Sequence, residues 1–178
     1  MTPNRKKIFA ISGSTRADSV NVHILTALAA MYAEKADFFI YTKIDQLPHF
    51  NPDLDTENAP GSVEHFRKHI QEADGVLICT PEYVYSLPGS LKNAIEWTVS
   101  TILFTGKPVA LITASSSGQK AHEALALLMS TIGAKICTSL LIQAPKTKLS
   151  PEGKITDEST LSDIQQLMDV FISALSEN

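Results

Sequence analysis

Two cysteines, no long apolar run and no block of basic residues set the outer limits of this 178-residue chain. Cys79 and Cys137 stand far apart in apolar, strand-like runs. They offer no metal-ligand spacing and read as small core residues rather than redox groups. No stretch approaches the ~18 apolar residues of a membrane span, and the N-terminus lacks the apolar segment of a secretory signal. These absences predict a cytoplasmic protein with no membrane partner. The net charge is −4 and the one cationic cluster is Arg5-Lys6-Lys7, read as a solvated cap before the first strand. A nucleic-acid surface needs a clustered basic stripe, so no nucleic-acid partner is expected.

Several familiar signatures are missing too. The chain has neither the G-x-x-x-x-G-K-[ST] phosphate loop nor the G-x-G-x-x-G dinucleotide fingerprint. No G-x-S-x-G elbow suggests a Ser-His-Asp hydrolase. The five histidines form no metal motif. His65 and His69 are four residues apart on a helix, but no H-E-x-x-H surrounds them, and they read as a solvated face. No metal is expected.

What is present is a regular alternation of apolar runs and amphipathic stretches, in a chain 44% apolar and 19% charged. Strands are predicted over Ile8–Ser12, Asp37–Tyr41, Gly75–Thr80, Pro108–Ala114 and Lys135–Ile142. Helices are predicted over Val20 to about Lys35, Gly61–Ala73, Leu91–Thr101, Gln119–Ile132 and Glu158–Leu175. The connection from Lys43 to about Pro60 is too rich in proline and turn residues for regular structure. Strands apolar throughout, rather than alternating, are those of a sheet covered on both faces. Five such strands separated by helices imply a parallel, doubly wound α/β sheet in three layers. No composition break or repeat divides it, so residues 1–178 are expected to form a single domain.

In that architecture ligands bind beyond the carboxyl ends of the strands, where the strand order reverses. Three chemically unusual loops leave those ends. Gly13-Ser14-Thr15-Arg16-Ala17-Asp18-Ser19-Val20-Asn21 supplies hydroxyls, an arginine and a helix N-terminus, the parts of a cradle for one terminal phosphate. Pro81-Glu82-Tyr83-Val84-Tyr85-Ser86-Leu87-Pro88-Gly89 offers backbone polar groups and aromatic faces to a planar ring. Ser115-Ser116-Ser117-Gly118 presents small donors at a helix start, where they would stabilise negative charge on a reduced ring. Trp97, in the helix after the second loop, reads as a packing or interface residue.

Gly13-Ser14-x-Arg16-x-x-Ser19-x-Asn21 together with Pro81-Glu82-Tyr83…Pro88-Gly89-x-Leu91-Lys92-Asn93-Ala94-Ile95-Glu96-Trp97 resembles the NADPH-dependent FMN reductase family. The likeness covers nearly the whole chain, including Phe50-Asn51-Pro52-Asp53-Leu54. It implies a flavodoxin-like fold with strand order 2-1-3-4-5 and bound FMN. By the resemblance, Ser14, Arg16, Ser19 and Asn21 take the FMN phosphate. Pro81, Glu82, Tyr83 and Val84 follow the ring and ribityl chain, Tyr85 adds bulk beside them, and Ser115, Ser116, Ser117 and Gly118 meet the opposite edge. Val84-Tyr85 stands where the family often has Asn-Gly, which leaves only the Val84 backbone available to the ring.

The activity implied is transfer of a hydride from NADPH or NADH, through FMN, to a quinone, free flavin, azo compound or metal oxyanion. No protein residue is assigned as catalytic acid or base, since the cofactor carries the chemistry. A homodimer or homotetramer is implied as well. The alternative is a non-enzymatic electron carrier of the flavodoxin kind, which would use a more acidic docking surface and lacks the Pro-Glu-Tyr loop.

Overall fold

The computed structural model describes residues 5–150 and 152–176, so the ends of the expected 1–178 unit lie outside it. Its strands are β1 (Lys6–Ser12), β2 (Ala36–Tyr41), β3 (Gly75–Thr80), β4 (Pro108–Ser115) and β5 (Lys135–Gln143). They form one parallel sheet in the order β2-β1-β3-β4-β5, as expected. The helices are α1 (Val20–Met31), α2 (Gly61–Glu72), α3 (Gly89–Glu96), α4 (Gln119–Thr131) and α5 (Glu158–Ser176). No helix among the described residues is long and apolar enough to cross a membrane.

Side chains of the inner strands alternate between two cores. Ile8, Ala10, Leu77, Cys79, Ala110 and Ile112 pack with Ile24, Leu28, Ile164 and Phe171 of α1 and α5. Phe9, Ile11, Val76, Ile78, Val109 and Leu111 pack with Phe66, Leu91 and Leu125 of α2, α3 and α4. Both faces need apolar residues, which is why the inner strands read as continuous apolar runs. β3, at the centre, is buried along its whole length. On the α2 side, His69 stacks on Phe39 at a centroid distance of 4.0 Å. Desolvation there, with the neighbouring His65 charge, pushes its pKa down.

Two segments depart from the sequence expectation. The connection after β2 contains the short 3₁₀ turns Ile44–Gln46 and Pro52–Leu54, the second capped by Asn51 Oδ1, which accepts from Asp53 N at 3.0 Å. α3 spans Gly89–Glu96, shifted from the expected Leu91–Thr101. Beyond it the Thr98 and Thr101 hydroxyls donate to the carbonyls three residues back, both at 2.7 Å. The Trp97 carbonyl accepts instead from Arg67, whose Nε lies 2.7 Å away. A carbonyl drawn sideways and back-bonding hydroxyls both compete with the helical ladder, so the helix ends early.

Trp97 is fully buried and packs within its own chain. Its Nε1 donates to Pro48 O at 2.7 Å, and Asn93 Nδ2 donates to the same oxygen at 3.0 Å. Asn93 Oδ1 in turn accepts from Phe50 N at 2.7 Å. The Asn-x-x-x-Trp pair on and just after α3 thus pins the proline-rich connection, satisfying backbone groups that lack a strand or helix partner.

Gly13 ends β1, and its N–H donates to Cys79 O at 2.8 Å. A Cβ there would lie 2.7 Å from Thr80 Cβ and 3.0 Å from a Leu91 methyl. Gly61, at the start of α2, has open space around the same position. Gly13→Ala is therefore expected to destabilise by about 1–3 kcal/mol through overpacking, lowering Tm by roughly 2–4 °C per kcal/mol. Gly61→Ala should be neutral or gain about 0.4–1 kcal/mol through reduced unfolded-state entropy. Thermal denaturation of both variants checks the contrast, and equal effects would contradict it.

Candidate functional site

β2 lies on one side of β1 and β3 on the other, so the chain order reverses between β1 and β3. Ser12 pairs with Cys79, and Thr80 with Thr113, so the carboxyl ends of β1, β3 and β4 lie level. The loops leaving them, joined by residues 144–147 after β5, enclose a cavity of about 440 Å³.

The loop after β1 brings hydroxyls, a guanidinium and a helix start to this cavity. Ser14, Arg16, Ser19 and Asn21 all line it, together with Val20. Ser19 occupies the N-cap position of α1 with extended backbone, yet its hydroxyl makes no capping bond. That hydroxyl oxygen is buried and has no hydrogen-bond partner among the described residues. Buried polar atoms are normally bonded, and helix starts normally capped. Here a hydroxyl and the first N–H groups of α1 converge on the cavity beside a guanidinium, a ready site for a phosphate. Ser14 Oγ accepts from Arg16 N at 3.4 Å, which folds the loop back over the same end. Asn21 is anchored from below, where the Cys79 thiol donates to its Oδ1 at 3.3 Å. Burial pushes the Cys79 thiol pKa up, so it stays protonated and serves only to orient Asn21.

The second loop contributes Pro81, Glu82 and Tyr83 to the lining. Tyr83 and Ser86 then exchange two backbone hydrogen bonds, each 3.0 Å, closing a tight turn. Its central residues, Val84 and Tyr85, have φ of 51° and 55°. Left-handed backbone at both central positions is the geometry that favours Asn-Gly, and a β-branched valine there is strained. Val84 is 95% exposed and Tyr85 78% exposed, and neither lines the cavity.

Of the third loop, Ser115 and Ser116 line the cavity while Ser117 and Gly118 do not. Gly118 is the N-cap of α4 with φ 84°, so it contributes conformation and no side chain. The start of α4 is capped from across the cavity. Glu82 Oε2 accepts from Lys120 N at 2.9 Å and Ala121 N at 3.0 Å, and Oε1 accepts from Ser117 Oγ at 3.0 Å. The positive end of α4 is therefore largely spent on Glu82 instead of being offered to a ring. Beneath the loop, His122 bridges Thr113 Oγ1 at 3.0 Å and Ser139 Oγ at 3.3 Å. Its burial lowers its pKa and favours the neutral ring.

Sequence reasoning missed one wall. Ala144, with φ 49°, turns the chain after β5 into the 3₁₀ turn Pro145–Thr147, and all four of these residues line the cavity. Lys146 brings a second cation to the lining beside Arg16. The Ala-Pro-Lys-Thr sequence carries no glycine or hydroxyl run to mark it. Only its place after the fifth strand points to the cavity.

The Glu82 carboxylate is held below the usual range by the Ala121 N–H, with help from Ser117, Gly118 and Lys120. A folded-state pKa below the unfolded value adds stability at neutral pH, which is lost as pH falls through the folded value. Glu82→Gln should therefore lower Tm near pH 7, with the gap closing on acidification below roughly pH 4. Melting curves across pH check this, and a gap that stays constant or widens in acid would contradict the cap.

Residues 6–145 match the family described as NADPH-dependent FMN reductase. A 2-hydroxy-1,4-benzoquinone reductase of Burkholderia is 32% identical over 174 residues, 93% of each chain. An NAD(P)H-dependent FMN reductase of Pseudomonas aeruginosa is 31% identical over 172 residues, 90% of each. The solved structure of a flavoenzyme NAD(P)H:acceptor oxidoreductase from Paracoccus denitrificans superposes with a TM-score of 0.80 at 29% identity, covering 97% of this chain and 98% of that one. The geometry of the cleft and these relatives agree, and the chain belongs to the NADPH-dependent FMN reductase family of oxidoreductases.

Proposed function

We propose that the cavity holds FMN with its phosphate at the α1 end, and that the protein reduces small-molecule acceptors, quinones foremost, at the expense of NADPH or NADH. The observation that carries this reading is the buried Ser19 hydroxyl, unpartnered beside an uncapped helix N-terminus and Arg16. A phosphate satisfies all of these groups at once, and the cavity offers one such cradle and no second pyrophosphate loop. FMN thus fits better than FAD.

Held there, FMN would supply the hydride-transfer chemistry between nicotinamide and acceptor. The chain's own residues bind, orient and shield. Ser14, Ser19, Asn21, Arg16 and Lys146 take the phosphate end. Pro81, Glu82, Tyr83, Ser115 and Ser116 flank the ring and ribityl region through the lining. Glu82, Ser117 and Gly118 fix the separation of the second and third loops. Overall, NAD(P)H, one proton and a quinone give NAD(P)⁺ and the hydroquinone, with solvent supplying the proton. The Burkholderia relative's quinone substrate supports that choice of acceptor over azo compounds or metal oxyanions.

Arg16→Ala should weaken FMN binding about 10- to 150-fold, corresponding to the roughly 1.5–3 kcal/mol of a hydrogen bond to a charged group. Titration of apoprotein, paired with steady-state NADPH consumption on benzoquinone, checks both halves of the proposal. Equal FMN affinity in variant and parent would remove the phosphate assignment. Bound flavin with no NAD(P)H turnover would favour an electron carrier.

We also propose a homodimer or homotetramer, supported by large exposed apolar side chains: Val84 and Tyr85 in the turn of the second loop, and Val99 and Ile102 after α3, the last 83% exposed. Large apolar side chains left this exposed mark interaction surfaces where they join into a patch. Sedimentation velocity on the parent and on a Val84→Asp, Ile102→Asp double variant should show loss of the oligomer. A parent that sediments as a monomer would end the idea.

A further inference from the structure

We propose that His65 and His69 on α2 form a two-nitrogen chelate for a divalent transition-metal ion of tetragonal preference, Cu(II) or Ni(II), at a site separate from the cofactor cleft. Residues four apart on a helix stand one above the other on the same face. Here that placement has become direct contact, with the two Nε2 atoms 3.0 Å apart and the rings nearly perpendicular at 87°. The contact is an N–H···N bond in which one imidazole donates and the other accepts. A metal ion would take the place of that proton, which shifts by exchange with solvent to Nδ1 of the donor ring, so that both neutral rings bind through Nε2.

The bite distance suits a tetragonal ion. With metal–nitrogen bonds of about 2.0–2.1 Å, nitrogens 3.0 Å apart subtend about 91–97° at the metal. That is the angle between adjacent positions of a square-planar or tetragonal site, the geometry of Cu(II) and Ni(II). A tetrahedral zinc site would need the nitrogens about 3.3–3.4 Å apart.

One arm of the chelate is packed in place. The His69 ring lies against two aromatic neighbours, 4.0 Å from Phe39 and 5.4 Å from Phe9 by ring centroids, both nearly parallel. His65 is exposed, and its Nε2 already faces that of His69. The charges nearby offset each other, since Lys68 pairs with Glu72 at 3.7 Å. Among the described residues no third His, Cys, Asp or Glu joins the pair, so water fills the remaining positions. The grooves beside the two rings share no lining residue with the cofactor cavity. Metal uptake should therefore leave flavin binding untouched.

The test is a calorimetric titration of the flavin-loaded protein with copper(II) chloride near neutral pH, followed by electron paramagnetic resonance. The expected result is one Cu(II) per chain with an axial spectrum and hyperfine structure from two nitrogens. His65→Ala and His69→Ala should each weaken binding at least tenfold, the lower end of what loss of even an outer-shell partner costs. His49→Ala, an exposed histidine elsewhere, should leave it unchanged. His65 is exposed, so its variant is expected to fold, and circular dichroism confirms that before titration. Copper affinity unchanged in His65→Ala, or no stoichiometric uptake by the parent, would overturn the proposal.

Discussion

At the amino end of α1 a hydroxyl and several backbone N–H groups are left without protein acceptors, inside a fold that satisfies such groups almost everywhere else. Unbonded buried donors are costly, about 1–3 kcal/mol each. A chain that keeps them does so where a ligand repays the cost. Here the repayment needs an acceptor with several oxygens and negative charge, which describes a phosphate. In the proposed reading, a phosphate held at α1 would dictate where the attached ring can lie.

The ring end depends on a second constraint, the distance between the loops after β3 and β4. Glu82 sets it by reaching from one loop to cap the helix that follows the other. The arrangement serves two needs with one carboxylate, since α4 lacks a cap of its own and Gly118 has no side chain to provide one. Behind this, Asn93 and Trp97 hold the proline-rich connection against α3. The cleft is thus built from loops, each tied to a rigid element by a named hydrogen bond.

Fold and strand order were legible because they rest on apolar periodicity and loop chemistry that the chain displays openly. The run Val76-Leu77-Ile78-Cys79 has no place except the middle of a covered sheet. The first loop was legible as a cavity wall, since Ser14, Arg16, Ser19 and Asn21 all reach the cavity. What escaped the sequence were roles set by distance across the fold. The Glu82 side chain looks like a ring contact in the sequence but turns to the α4 amides. The wall at Ala144–Thr147 has no local signature, because a left-handed alanine is imposed by its surroundings. The early end of α3 depends on Arg67, thirty residues upstream. Val84-Tyr85 was visible as a departure from Asn-Gly, but its strained turn and full exposure appear only with the backbone in place.

The central claim is that the unsatisfied donors at α1 exist for a phosphate. It is tested most directly by comparing FMN with riboflavin, which differs from it only by that group, on the apoprotein and on Ser19→Ala. The account predicts that FMN binds far more tightly than riboflavin to the parent, and that the ratio between them shrinks in Ser19→Ala while riboflavin affinity is unmoved. Riboflavin binding as tightly as FMN to the parent would contradict it.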